Sequence, residues 1–170
     1  LDRTIGEIDL QIRSYTDKLR SSKVWKVWRK RYGPLANLGS SEQLGEVLFN
    51  VMSYPCTVRT ATGKPKTDES VLVTVEHPFV KLYLKLKKLQ KLRGTYLGSI
   101  RREVSSDGFI RPSFNLHTTR TYRSSCNDPN LQNMPIRIPE MGKVIRRCFI
   151  PRPGHVLVES DYAGIEVRVA

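Results

Sequence analysis

The sequence predicts an α+β fold, a long-helix half to about residue 110 followed by an antiparallel-sheet half over 111–170. Three patterns carry this. Apolar residues recur at three- and four-residue steps near the N-terminus, and the same period returns from His77 to Tyr96. After Gly94 short aromatic and β-branched runs bounded by Gly and Pro replace it.

The first helix is marked by Ile5, Ile8, Ile12, Tyr15 and Leu19 with charged residues between them. It is expected to continue through "KVWKVWRKRY" and to end before Gly33–Pro34, where proline and glycine break the pattern. Trp25 and Trp28 lie one helical turn apart, flanked by Lys23, Lys26, Arg29, Lys30 and Arg31. Two readings stand: a base-stacking platform beside phosphate-binding cations, or two core side chains.

Ser40, with Gln43 three residues on, has capping-box spacing and predicts a short helix carrying Leu44, Val47 and Leu48. "SYPCTVRTATGKPKTDESVLV" is rich in turn formers and reads as a mobile loop ending in a small helix that starts at Thr67. From His77 to about Tyr96, Pro78 suits a first helical turn, and Phe79, Leu82, Tyr83, Leu86 and Leu89 share one face. Lys81, Lys85 and Lys88 recur on another, as a track for a phosphate backbone or as the solvated face of the helix. Beyond it, "GFIRPSFN" and "HVLVESDY" read as strands, the second as a near-continuous apolar run that would be buried.

Lys and Arg number 29 against 16 Asp and Glu, a formal charge of +13. A surface that positive favours a polyanion, and nucleic acid leads because the cations are interleaved with Tyr, Trp and apolar residues along the whole chain. There is no apolar run of membrane-spanning length and no signal-peptide pattern at the N-terminus, so no membrane partner and an intracellular, cytoplasmic setting are expected. Cys56, Cys126 and Cys148 have no zinc-ligand spacing and read as reduced thiols. Asp161 follows Val156, Leu157 and Val158, at the end of the expected strand. A carboxylate there is a metal ligand or a turn-capping residue.

"SDYAGIEVRVA" resembles motif A of the family A DNA polymerases, the bacterial DNA polymerase I group, matching at Asp161, Tyr162, Ile165, Glu166 and Arg168. "TRTYRSSCNDPNLQNMPIR" is similar to the block that precedes motif A in that family, "GKVIRRCF" to its linker, and "NLGSSEQLGEVLF" to a segment of its thumb. The resemblance covers most of the chain. It implies a thumb over 1–110 and the N-terminal part of the palm, an incomplete antiparallel sheet, over 111–170.

By residue match, Asp161 is implied as a catalytic ligand of the paired Mg²⁺ ions of nucleotidyl transfer. Tyr162 and Glu166 are implied in the deoxynucleoside triphosphate site, Glu166 crowding the sugar C2′ so that ribonucleotides are rejected. Arg123 matches the arginine that meets the minor-groove edge at the primer terminus, where acceptors are nearly sequence-independent. Asn130, Gln132, Asn133 and Arg137 are implied near the duplex, and Lys81, Lys85, Lys88, Lys91 and Arg93 as thumb contacts to phosphates. Tyr122, Ser124 and Ala163–Gly164 depart from the common family residues, as in a divergent, phage-type member.

A second metal-binding carboxylate and the basic fingers helix have no match here. The expectation is therefore a part of a template-directed DNA polymerase that grips primer–template DNA without extending it alone. Its unpaired sheet edge is expected to favour self-association. The alternative is a stand-alone, non-catalytic nucleic-acid-binding protein derived from a polymerase thumb.

Overall fold

A computed structural model describes residues 1–121, 123–135, 139–160 and 164. Helix α1 (Asp2–Arg20) is followed, after a two-residue break, by α2 (Lys23–Tyr32). The continuous helix expected here is corrected by Ser21 and Ser22. Their hydroxyls donate back to the carbonyls of Lys18 and Leu19 at 2.9 and 2.6 Å, and the Ser22 hydroxyl also accepts from the Trp25 amide at 3.1 Å. Serine competes with the helix ladder in this way and caps the next helix. The turn lets α2 fold its apolar face inward, so that Val24, Trp25 and Trp28 are buried.

Helix α3 (Ser41–Gly45) runs directly into a π-helical turn (Glu46–Val51). The expected start is correct, because the Ser40 hydroxyl accepts from the Gln43 amide at 3.2 Å. In the following loop the Thr60 amide donates to Lys64 O at 2.8 Å and the Lys66 amide to Val58 O at 3.0 Å, making a tight hairpin. Gly63 turns it at φ +77°, a conformation that favours glycine. The small helix α4 (Glu69–Leu72) has Asp68 as its cap, one residue past the expected Thr67, whose hydroxyl instead donates to Ser41 O.

Helix α5 (Pro78–Lys91), a π-helical segment (Leu92–Leu97) and α6 (Gly98–Glu103) form an uninterrupted rod. His77 Nδ1 accepts from the Phe79 amide at 3.1 Å, and Pro78 occupies the first turn, where its missing N–H costs nothing. The change of pattern expected after Gly94 does not end the helix. Leu97 and Ile100 prolong the buried face of Leu92 beyond it, and that packing outweighs the roughly 1 kcal/mol helix cost of one glycine.

The rod lies antiparallel to α1 and shares two cores with it. One gathers Leu19, Trp28, Leu48, Leu72, Phe79, Val80 and Leu86. The other gathers Ile5, Ile8, Leu92, Leu97 and Ile100 with Met141 and Ile145 of α7 (Pro139–Arg146). Asp9–Arg93 at 2.9 Å and Asp2–Arg101 at 2.6 Å pair the two long elements along their length.

Strands β1 (Ser113–Asn115) and β2 (Ser125–Asn127) pair antiparallel with Phe114 opposite Cys126, completing the α+β fold. The strand expected in "GFIRPSFN" forms only over its last three residues, Ser113–Asn115, since Gly108 at φ +81° belongs to a turn. The one expected from "HVLVESDY" does not form over its described residues up to 160: Val156, Leu157 and Val158 are 79%, 68% and 84% exposed. Among the described residues no strand lies beside them to accept their backbone bonds, so their β propensity has nothing to act on. Cys56, Cys126 and Cys148 are free thiols, as expected.

Candidate nucleic-acid interface

The outer face of α5 is cationic because its apolar residues are spent inward. Phe79, Val80, Tyr83 and Leu86 are buried, and at 3.6 residues per turn Lys81, Lys85 and Lys88 emerge together on the other side. All three are exposed, as is Lys91. They are not equivalent. Lys88 pairs with Glu69 of α4 at 2.8 Å and Arg93 with Asp9 of α1 at 2.9 Å, so both are engaged in holding helices together. Lys81, Lys85 and Lys91 are in no ion pair among the described residues, and they span about 15 Å of rod. Nearby, Lys87 sits over the Tyr83 ring at 5.4 Å, and burial pushes the Tyr83 phenol up to about 12.

A second group forms at the far end of the rod. Asn130 Oδ1 accepts from the amides of Gln132 and Asn133 at 3.1 and 3.2 Å, rounding off a short 3₁₀ turn, Leu131–Asn133. Asp128 just before it adopts φ +53°, a region that Asp tolerates better than most residues. Gln132 Nε2 donates to the Ser124 hydroxyl at 3.0 Å, tying this turn to the residue next to Arg123. The Thr119 hydroxyl donates to the Arg123 carbonyl, and Thr118 bonds the Ser125 hydroxyl at 2.9 Å. Arg123, Asn130, Gln132 and Asn133 are thereby gathered into one loop cluster, each exposed. Beside it, Ser99, Arg102, Glu103, Asp128 and Asn130 line an open cleft of about 480 Å³. Ser99 lies about 27 Å along the rod from Lys81 and about 12 Å from Lys91, so the lysines lead along the rod towards the loop cluster.

Asp161, Tyr162, Glu166 and Arg137 lie outside the described residues. Among the described residues no group of three or more His, Cys, Asp or Glu side chains is placed to hold a metal ion. The Trp25–Trp28 pair resolves to the core reading. Trp28 is fully buried and packs its ring against Trp25 at 5.6 Å and Phe79 at 6.4 Å, which leaves no open face for a base.

Sequence reasoning missed the turn at 105–111. Arg111 grips Asp107 with both guanidinium nitrogens, at 3.1 and 2.5 Å, while Asp107 Oδ1 also accepts from the Phe109 amide at 3.2 Å. The Arg111 and Ser105 hydrogen bonds hold the Asp107 carboxyl well below the usual carboxylate range. The dipeptide Asp107–Gly108 was the available signal, since Gly108 takes φ +81°. No described helix is long and apolar enough to cross a membrane.

The family model for DNA polymerase family A matches residues 11–170. The chain is 32% identical to DNA polymerase I of Pseudomonas aeruginosa over 176 aligned residues, covering 99% of this chain and 19% of that one. It is 42% identical over 137 residues to the thermostable DNA polymerase I of Thermus thermophilus, covering 78% of this chain and 16% of that one. The chain thus spans less than a fifth of the length of these curated relatives. Among solved structures, the POL domain of Pol1 from M. smegmatis, in complex with DNA primer-template and dNTP, superimposes with a TM-score of 0.72 at 34% identity. That match covers 91% of this chain and 26% of the other.

Proposed function

The chain belongs to DNA polymerase family A, and on that premise we propose that it grips primer–template duplex as the thumb, residues 1–110, and the N-terminal part of the palm, residues 111–170, of a template-directed DNA polymerase. The observation that carries this reading is the pair of exposed cations Lys81 and Lys85 on the outer face of α5, with the exposed Lys91 at the helix end. It is supported by the likeness to a polymerase domain in complex with primer-template and dNTP. The rise of the rod from Lys81 to Ser99, beside the Arg123 cluster, is about 27 Å, which corresponds to about eight base pairs of a duplex. In this reading α5 meets phosphates and the loop cluster meets the primer end. Arg123 would there donate to minor-groove acceptors common to all correct pairs.

Family A polymerases use divalent metal ions, and Asp161 is the side chain assigned to Mg²⁺ by its match to motif A. Two such ions, when bound, activate the primer 3′-oxygen and stabilise the leaving pyrophosphate. Tyr162 and Glu166 are assigned to the incoming deoxynucleotide on the same ground, and Arg137 to the duplex. Self-association belongs to the proposal too: the exposed Val156, Leu157 and Val158 are a segment with the composition to pair with a second copy.

The test is fluorescence anisotropy of a labelled primer–template titrated with the 170-residue chain at several salt concentrations. Replacing Lys81, Lys85 and Lys91 together by Ala should flatten the slope of log K against log salt by about 2.7, at about 0.9 for each phosphate no longer neutralised. An unchanged slope refutes the assignment of this face.

A further inference from the structure

Helix α2 carries five basic residues in ten and no acidic one: Lys23, Lys26, Arg29, Lys30 and Arg31. Its burial divides these sharply. With Val24, Trp25 and Trp28 buried, the 100° step of the helix puts Lys23, Lys26 and Lys30 on the opposite side, in a stripe about 10 Å long. All three are exposed, and so is Arg29 at the edge of the stripe. Arg31, on the other edge, pairs with Glu46 at 3.4 Å.

Elsewhere on the molecule some exposed cations are matched by a carboxylate and others, Lys81, Lys85 and Lys91 among them, are in no ion pair among the described residues. Lys64 pairs with Glu42, Lys66 with Asp68, Arg101 with Asp2 and Arg102 with Glu103. Lys23, Lys26, Arg29 and Lys30 are in no ion pair among the described residues, although Lys26 has like charges one turn away on both sides. Self-repulsion of this kind is relieved by a polyanion that presents charges at regular intervals along a line. The stripe offers no exposed aromatic or large apolar side chain, since both Trp rings are turned into the core. Such a surface lacks the apolar anchors of a protein interface and the stacking platform of a single-strand site.

We propose that the Lys23–Lys26–Lys30 face of α2 is a second phosphate-contacting surface for duplex DNA, separate from the lysine row of α5. The proposal rests on the duplex-binding reading above. Contacts of this class position a duplex and strengthen binding without reading sequence.

The experiment compares the 170-residue chain with Lys26→Gln/Lys30→Gln, with Arg3→Gln/Arg13→Gln as a charge-matched control on α1, and with the α5 lysine variant. Each is titrated with labelled duplex across a salt series, with far-UV circular dichroism confirming the helices. The α2 variant should flatten the salt slope by about 1.8, two phosphates at about 0.9 each, and the control should leave it in place. An equal effect from the control, or no effect from the α2 variant while the α5 variant flattens the slope, overturns the α2 surface and spares the duplex reading. Absence of duplex binding by the unmodified chain overturns both. Loss of polyglutamate binding by the α2 variant with duplex binding unchanged assigns the face to an acidic protein and overturns it as a DNA surface.

Discussion

The indole of Trp28 donates to the Gln43 side-chain oxygen at 2.9 Å, so a fully buried ring of α2 is fastened to the first turn of α3. The same oxygen accepts from the Asn37 amide at 2.9 Å, and Gln43 Nε2 donates to Leu35 O at 3.0 Å. Gln43 therefore does not close the reciprocal half of the expected capping box. It spans the whole connection between the two helices.

Replacing Gln43 by Leu strands the Trp28 and Asn37 donors and should cost roughly 2 kcal/mol. For a chain of this size that is a fall of about 4–8 °C in Tm. Gln43→Glu keeps the acceptor and should lose less. Thermal unfolding followed by circular dichroism decides it, and equal losses in the two variants would contradict this role for the oxygen.

Two helical glycines should respond with opposite signs. Gly6 in α1 has nothing within 4 Å of the position a Cβ would take, so Gly6→Ala should stabilise by about 1 kcal/mol. A Cβ on Gly142 in α7 would stand 2.8 Å from the backbone oxygen of Pro135. Gly142→Ala should destabilise by about 1–3 kcal/mol despite its better helix propensity. Urea titration of both variants reads the difference.

Tyr83 makes stability fall at high pH. An unfolded tyrosine loses its proton near pH 10, whereas burial holds the folded phenol until about 12. Between these values the folded state binds more protons than the unfolded one, so its contribution is complete below about pH 10 and is lost as pH rises towards 12. Tyr83→Phe should flatten that part of the stability profile. A profile identical to the parent's would disprove the linkage.

Lys85 and Arg93 should separate binding from stability. Lys85→Ala should weaken duplex binding and change stability by no more than about 0.5 kcal/mol, as at other exposed sites. Arg93→Ala removes the Asp9 partner between the long helices and should lower stability, by up to about 1 kcal/mol for a partly exposed pair. A double-mutant cycle with Asp9→Ala measures the pairing directly.

Local signals were legible in the chain itself. Ser40 before α3, His77–Pro78 before α5 and the 3.6-residue periods of α1 and α5 need only neighbours a turn away, and the structure agrees with each. The family was legible as well, because the blocks around Asp128–Arg137 and Asp161–Arg168 are linear strings that need no folding to recognise. What required the tertiary structure was every question of which surfaces meet. The break at Ser21–Ser22 exists so that Trp28 can reach Phe79 and Gln43. The helix passes Gly94 because Leu97 and Ile100 have a core to enter. Lys88 and Arg93 look like Lys81 and Lys85 in sequence, but Glu69 and Asp9 lie beside them only after the helices pack. Val156–Val158 show the same dependence in reverse: strand propensity is written locally, and a strand forms only where another backbone lies alongside to take its hydrogen bonds.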